Sequence, residues 1–113
     1  MATRQPTVIW PSANIISATW SGLLQGDDGG YVTWLQYADR SVQVFGTFGG
    51  ATVEVEGSND AENWVGLTDP QGNALSIVSA KIEQIMEACL YIRPRVNGGN
   101  GTTSLSAVLV GRA

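Results

Sequence analysis

In the run "SVQVFGTFGGATVEVEG", from Ser41 to Gly57, apolar residues recur at every second position, the spacing of a strand with one buried face. Val42, Val44 and Phe48 share one parity. Ala51, Val53 and Val55 resume an apolar face after Gly49-Gly50, a pair suited to the positive φ angles of a two-residue turn. A hairpin is the expectation. Phe45 has the opposite parity, which implies either a second covered face or a bulge near Gly46.

A similar pattern closes the chain. In "CLYIRPRV", Leu90, Ile92 and Val96 alternate with Tyr91, Arg93 and Arg95, and in "TSLSAVLV" Leu105, Ala107 and Leu109 form a matching face. The Gly/Asn run Asn97–Thr102 between them predicts a second hairpin. Pro94 donates no ladder hydrogen bond, so its strand is expected at a sheet edge or with a bulge. Ile15–Trp20 and Tyr31–Tyr37 are read as further strands, separated by the loop "QGDDGG". The run "SAKIEQIME" has Ser79 as a cap and Ile82, Ile85 and Met86 at helical spacing, which predicts a helix of two turns.

Many short strands with Gly, Pro and Asn turns predict an all-β fold: an antiparallel β-sandwich, jelly-roll-like, with one short helix. Its expected core is Val42, Val44, Val53, Val55, Trp64, Leu90, Ile92, Leu105 and Leu109. Residues 12–113 are read as one domain. Residues 1–11 are read either as an arm that orders on assembly or as an ordinary first strand. An arm could add to a neighbour's sheet edge while Trp10 fills a pocket, which makes Val8, Ile9 and Trp10 the candidate partner-binding residues.

Six basic against ten acidic residues give a net charge of −4 with neither sign gathered into a block, so nucleic-acid binding is not expected. No run approaches the roughly 20 apolar residues that span a bilayer, and the N-terminus lacks a signal-peptide pattern. No membrane partner is expected. A lone cysteine, Cys89, excludes an intramolecular disulfide and suits assembly inside a cell. Charged residues are only 14% of the chain, which leaves open whether a partner covers part of the surface or uncharged polar residues solvate it.

The chain contains no histidine, so nucleophilic catalysis lacks its usual base. Cys89, at the start of a strand, is read as a packing residue. Asp27-Asp28, Asp60 with Glu62, and Asp69 could serve hydrolysis or bind calcium, but each lies beside Gly, Pro or Asn, where aspartate bonds its own backbone. Neither an enzyme, a metal site nor a cofactor is expected. Among the four tryptophans, Trp64 follows a turn, precedes Val65 and Leu67, and is read as core; Trp10 beside Pro11 is the interface candidate.

The run from Ala38 to the C-terminus, with "VEGSNDAENW", "LTDPQGN" and "YIRPRVNGGNGTT", resembles capsid decoration (cement) proteins of tailed bacteriophages. "GSNDAENW" is also similar to a turn of galactose-binding-like jelly-roll domains, with Ala61 in place of the usual glycine. The resemblance implies a virion structural protein, made in the host cytoplasm, that binds the major capsid protein on the outer capsid surface and stabilises capsomer boundaries. It also implies a small homo-oligomer, with a trimer favoured. The alternative is a carbohydrate-binding module of a phage tail or surface protein, which would expose aromatics beside carboxylates and amides.

Overall fold

Two sheets face each other across the side chains that the period of two selects. The computed structural model describes residues 2–33 and 36–113 and holds eleven strands among them. In chain order these are β1 (Thr3–Arg4), β2 (Thr7–Ser12), β3 (Ile15–Leu23), β4 (Asp28–Gly29), β5 (Asp39–Thr47) and β6 (Thr52–Ser58). They are followed by β7 (Val65–Gly66), β8 (Ser76–Ile77), β9 (Lys81–Gln84), β10 (Tyr91–Asn97) and β11 (Ser104–Arg112). The first sheet runs β1-β4-β10-β6-β7, with β8 also on β6; the second runs β2-β3-β11-β5-β9. All pairings are antiparallel except β1 with β4.

Both expected hairpins are instead crossovers between the sheets. β5 belongs to the second sheet and β6 to the first; β10 belongs to the first and β11 to the second. The turn itself forms as read: Gly49 and Gly50 have φ of +57° and +81°, and the Ala51 N–H donates to the Phe48 carbonyl at 2.9 Å. What differs is its destination. The apolar faces of β5 and β6 bury the same interior from opposite sides, which a flat hairpin could not do. The two crossovers pack together, because Thr103 Oγ1 donates to the Phe48 carbonyl at 2.9 Å. A Cβ on Gly49 would come within 2.6 Å of Asn100 Oδ1.

The expected helix is a strand. β9 pairs with β5 from Ser41↔Gln84 to Val44↔Lys81, which leaves Ile82 and Met86 exposed and turns only Ile85 into the core. A helix there would leave the β5 edge without hydrogen-bond partners, and pairing outweighs the short apolar stripe. Nor does Pro94 mark a sheet edge or a bulge. β10 lies between β6 and β4, and its register with β6 is continuous from Tyr91 to Asn97. Ile92 and Val96 donate toward the β4 side, to Val32 and Asp27 carbonyls. The missing Pro94 N–H falls on that same side, where bare Gly29 receives the ring: a Cβ there would stand 2.5 Å from Pro94 Cδ.

The core comprises Val42, Val44, Val53, Val55, Ile92, Leu105 and Leu109 as expected, joined by Ile16, Ala18, Trp20 and Leu23 of β3. Trp20 is its largest member, and its indole N–H donates to the Gly30 carbonyl at 2.9 Å. Leu90 is only half-buried, and Trp64 is not in the core. Of the expected strand Tyr31–Tyr37, Val32 forms a single bridge to Ile92; Trp34 and Leu35 lie outside the described residues.

The boundary expected after residue 11 is not a structural break, since β2 runs through Pro11 to Ser12 and pairs with β3. Asp27 ties the preceding strand down. Its carboxylate accepts the Ala2 N–H, the Arg4 Nε–H and the Leu24 N–H, each at 2.9 Å.

Candidate functional site

The segment from Gly57 to Trp64 is built by its own polar side chains. Ser58 Oγ accepts the Asp60 and Ala61 N–H groups, and Asp60 Oδ1 accepts those of Glu62 and Asn63 at 2.9 and 2.8 Å. Asn63 Nδ2 completes the turn on Asp60 Oδ2 at 2.7 Å. The Asn63 N–H and side chain, followed by the Glu62 N–H, hold the Asp60 carboxyl below the usual carboxylate range. Asp69 is used in the same way by Gln71 and Asn73. These acids serve turns. Among the described residues, no group of three His, Cys, Asp or Glu side chains stands together to hold a metal.

This turn delivers Trp64 to the outer surface of the first sheet, not to the core. β7 pairs Val65 with Gly57 and Gly66 with Glu56, so continuing the register sets Trp64 beside Ser58 on the outward parity. Leu67, three residues on, takes the inward position. Trp64 meets Arg93, whose guanidinium carbon is 4.1 Å from the ring centroid, and Tyr31 at 6.0 Å between centroids. Tyr31 in turn receives Tyr91 nearly edge-on at 4.8 Å.

Arg93 and Arg95 point outward from β10 among three carboxylates. Arg93 Nε donates to Glu56 Oε1 at 3.1 Å, and Arg93 also lies 3.9 Å from Asp28. Arg95 lies 3.8 Å from both Asp28 and Glu54. Two arginines are answered by three acids, so this outer surface is charged yet carries no positive field. Beside it, Thr3, Gln5, Gly29, Gly30, Tyr31, Ala61, Trp64 and Arg93 line a groove of about 480 Å³.

The second sheet presents the opposite chemistry. One complete row across its outer face reads Ile9, Ser17, Val110, Ser41, Gln84; the next reads Thr7, Thr19, Val108, Gln43, Ile82. A third begins with the pair Ser106 and Phe45. None of these residues is charged. Charge lies at one end, where Arg112 pairs with Asp39 at 2.5 Å, and along the edge strand β9, where Lys81 pairs with Glu83 at 3.7 Å on the parity opposite to these rows. Phe45 is therefore outward by simple alternation, with neither a second covered layer nor a bulge in β5 needed to explain it.

The candidate partner-binding residues divide between two surfaces. Ile9 and Trp10 are 53% and 63% exposed at the free edge of this second sheet, whereas Val8 turns inward and packs against the core. Cys89 is half-buried beside Gly57, and burial pushes its thiol pKa up. It is a packing residue, as read from the sequence.

No family model matches the chain, and no curated protein matches it. Solved structures do. The SPBc2 prophage-derived protein YomS is similar with a TM-score of 0.62 at 8% identity, covering 91% of this chain and 100% of that one. Protein NMB1881 from Neisseria meningitidis is similar with a TM-score of 0.50 at 17% identity, covering 96% of this chain and 83% of that one. What they share with this chain is the fold. The two surfaces therefore have to be interpreted from their own residues. The outward rows were present in the sequence as the residues left over from each apolar alternation, but their union into one uncharged face depends on the order β2-β3-β11-β5-β9.

Proposed function

We propose that this protein is a non-catalytic virion structural protein that binds the outer surface of an assembled phage capsid through the uncharged face of the second sheet, stabilising capsomer boundaries. The observation that carries this reading is the pair of complete five-strand rows without a charge, in a chain whose other sheet is laced with ion pairs. Removing charged side chains from water is costly, so a face that has none is suited to lasting cover by protein. Five strands and two complete rows give on the order of 300 Å², under half of what each partner contributes to a stable interface. The exposed Trp10 beyond one edge and Met86 beyond the other extend it. The fold shared with a prophage-derived protein supports the same reading.

The partner is the major capsid protein, and the protein acts as a small homo-oligomer, a trimer by the resemblance of its sequence to decoration proteins. Sharing the load among copies compensates for the modest area of one face. The pairing of Arg93 and Arg95 with carboxylates of their own sheet supports a partner other than nucleic acid. Val108 lies mid-face, and Val108→Lys places one charge there. Co-sedimentation with particles lacking the protein should show binding by the parent and loss of about tenfold or more in the variant. Undiminished binding by both Val108→Lys and Gln43→Lys would overturn this attachment face.

A further inference from the structure

The groove on the first sheet lies on the opposite side of the sandwich and is not used by the attachment face. Its centre is Tyr31, 49% exposed, whose ring is fixed from two directions by Tyr91 and Trp64. Trp64 is itself held by Arg93, which is anchored on Glu56. The result is a flat aromatic surface whose orientation is set before anything binds.

Polar groups without partners surround it. The Thr3 hydroxyl, the Gln5 amide and the Tyr31 hydroxyl make no hydrogen bond among the described residues, although each lines the groove. Other polar side chains of this surface are committed, as Asp60, Asn63 and Glu56 illustrate. Gly29 and Gly30 leave room for neighbours and not for a ligand: the Pro94 ring packs on Gly29 and the Gln5 amide packs on Gly30, which sets the Gln5 side chain in the groove lining near Tyr31.

An anion is disfavoured, since the one cation in the groove is already paired and three acids outnumber two arginines across the sheet. An entirely apolar ligand would leave the Thr3, Gln5 and Tyr31 groups buried and unpaired. A pyranose ring meets both demands, with an apolar C–H face for the aromatic plane and hydroxyls for an amide and two hydroxyls. We infer that this groove binds a neutral glycan, its sugar ring stacked on Tyr31 and its hydroxyls held by the Thr3 and Gln5 side chains. A protein attached by its second sheet would present this groove to the surroundings of the particle. The site itself does not depend on that attachment.

The test is a titration of the full chain with methyl glycosides of galactose, glucose, mannose and N-acetylglucosamine, with sialyllactose and inorganic phosphate as acidic probes. The inference requires saturable binding of at least one neutral glycoside below about 50 mM, weakened about tenfold by Tyr31→Ala and several-fold by Gln5→Ala. Val78→Ser, at an exposed position outside the groove, should leave it unchanged. If Tyr31→Ala fails to fold, Gln5→Ala and Thr3→Val carry the test. Absence of neutral-sugar binding, preference for the acidic probes, or affinity unchanged in every folded groove variant would overturn it. Particle attachment by a protein that binds no sugar would remove this inference and leave the proposed function standing.

Discussion

Arg93 lies 4.1 Å above the ring of Trp64 and 3.1 Å from Glu56, so the tryptophan that ends the Ser58–Asn63 turn is clamped to the outside of the first sheet by an arginine that is itself ion-paired. The environments of the Trp20 and Trp64 indoles thus differ in kind. Trp20 is 1% exposed and fills the core, while Trp64 covers a charged surface.

Their truncations should separate accordingly. Trp20→Ala opens a core cavity and strands the Gly30 carbonyl, and should cost about 3–5 kcal/mol in urea unfolding. Trp64→Ala loses a cation–π contact and partial burial, about 1–2 kcal/mol. Equal losses would mean that the outward placement of Trp64 is wrong.

Ala61 is the sole described non-glycine residue with positive φ, at 61°. An L-residue with a Cβ is strained there by about 1–2 kcal/mol, partly offset by the greater unfolded-state freedom of glycine. Ala61→Gly should therefore stabilise the protein by about 0.5–1 kcal/mol, and Ala61→Val should destabilise it. A melting temperature lowered by Ala61→Gly would contradict the left-handed conformation.

Acid should loosen the N-terminal strand through Asp27. Burial would raise this carboxyl's pKa, but the Leu24 N–H, the Arg4 guanidinium and the Ala2 N–H together pull it below its ordinary value of 3.8. A depressed folded-state pKa contributes stability that is full above 3.8 and is lost as pH falls through the lower, folded-state value. Asp27→Asn should cost about 2–3 kcal/mol near neutral pH. The gap from the parent should close on acidification below 3.8. Amide exchange at residues 3–5 should rise with it. A gap independent of pH would show that Asp27 does not bear this tie.

The sequence carried the alternation and therefore the inward residues of β5, β6, β10 and β11, because a period of two is local information. It did not carry the sheet to which each strand belongs. Gly49-Gly50 forms its turn whether the next strand returns beside β5 or crosses the core, and only long-range pairing of β5 with β11 and of β6 with β10 decides. Ile82, Ile85 and Met86 fit a helix stripe equally well until the open edge of β5 is considered. The parity that sends Trp64 outward is present in the sequence, since Val65 and Leu67 share the opposite one, but apolar neighbours along the chain do not by themselves show which face a residue takes. The groove at Tyr31 joins β1, the segment after β4, the Ser58–Asn63 turn and β10, four places that no local pattern connects.

Attachment to a capsid by the face containing Val108 and Gln43 is tested most directly by cryo-electron microscopy of particles assembled with and without this protein. The account predicts added density on the outer surface at capsomer boundaries, with the β2-β3-β11-β5-β9 sheet against the capsid and Tyr31 directed away from it. Particles identical with and without the protein, or bound copies whose second sheet faces solvent, would contradict it.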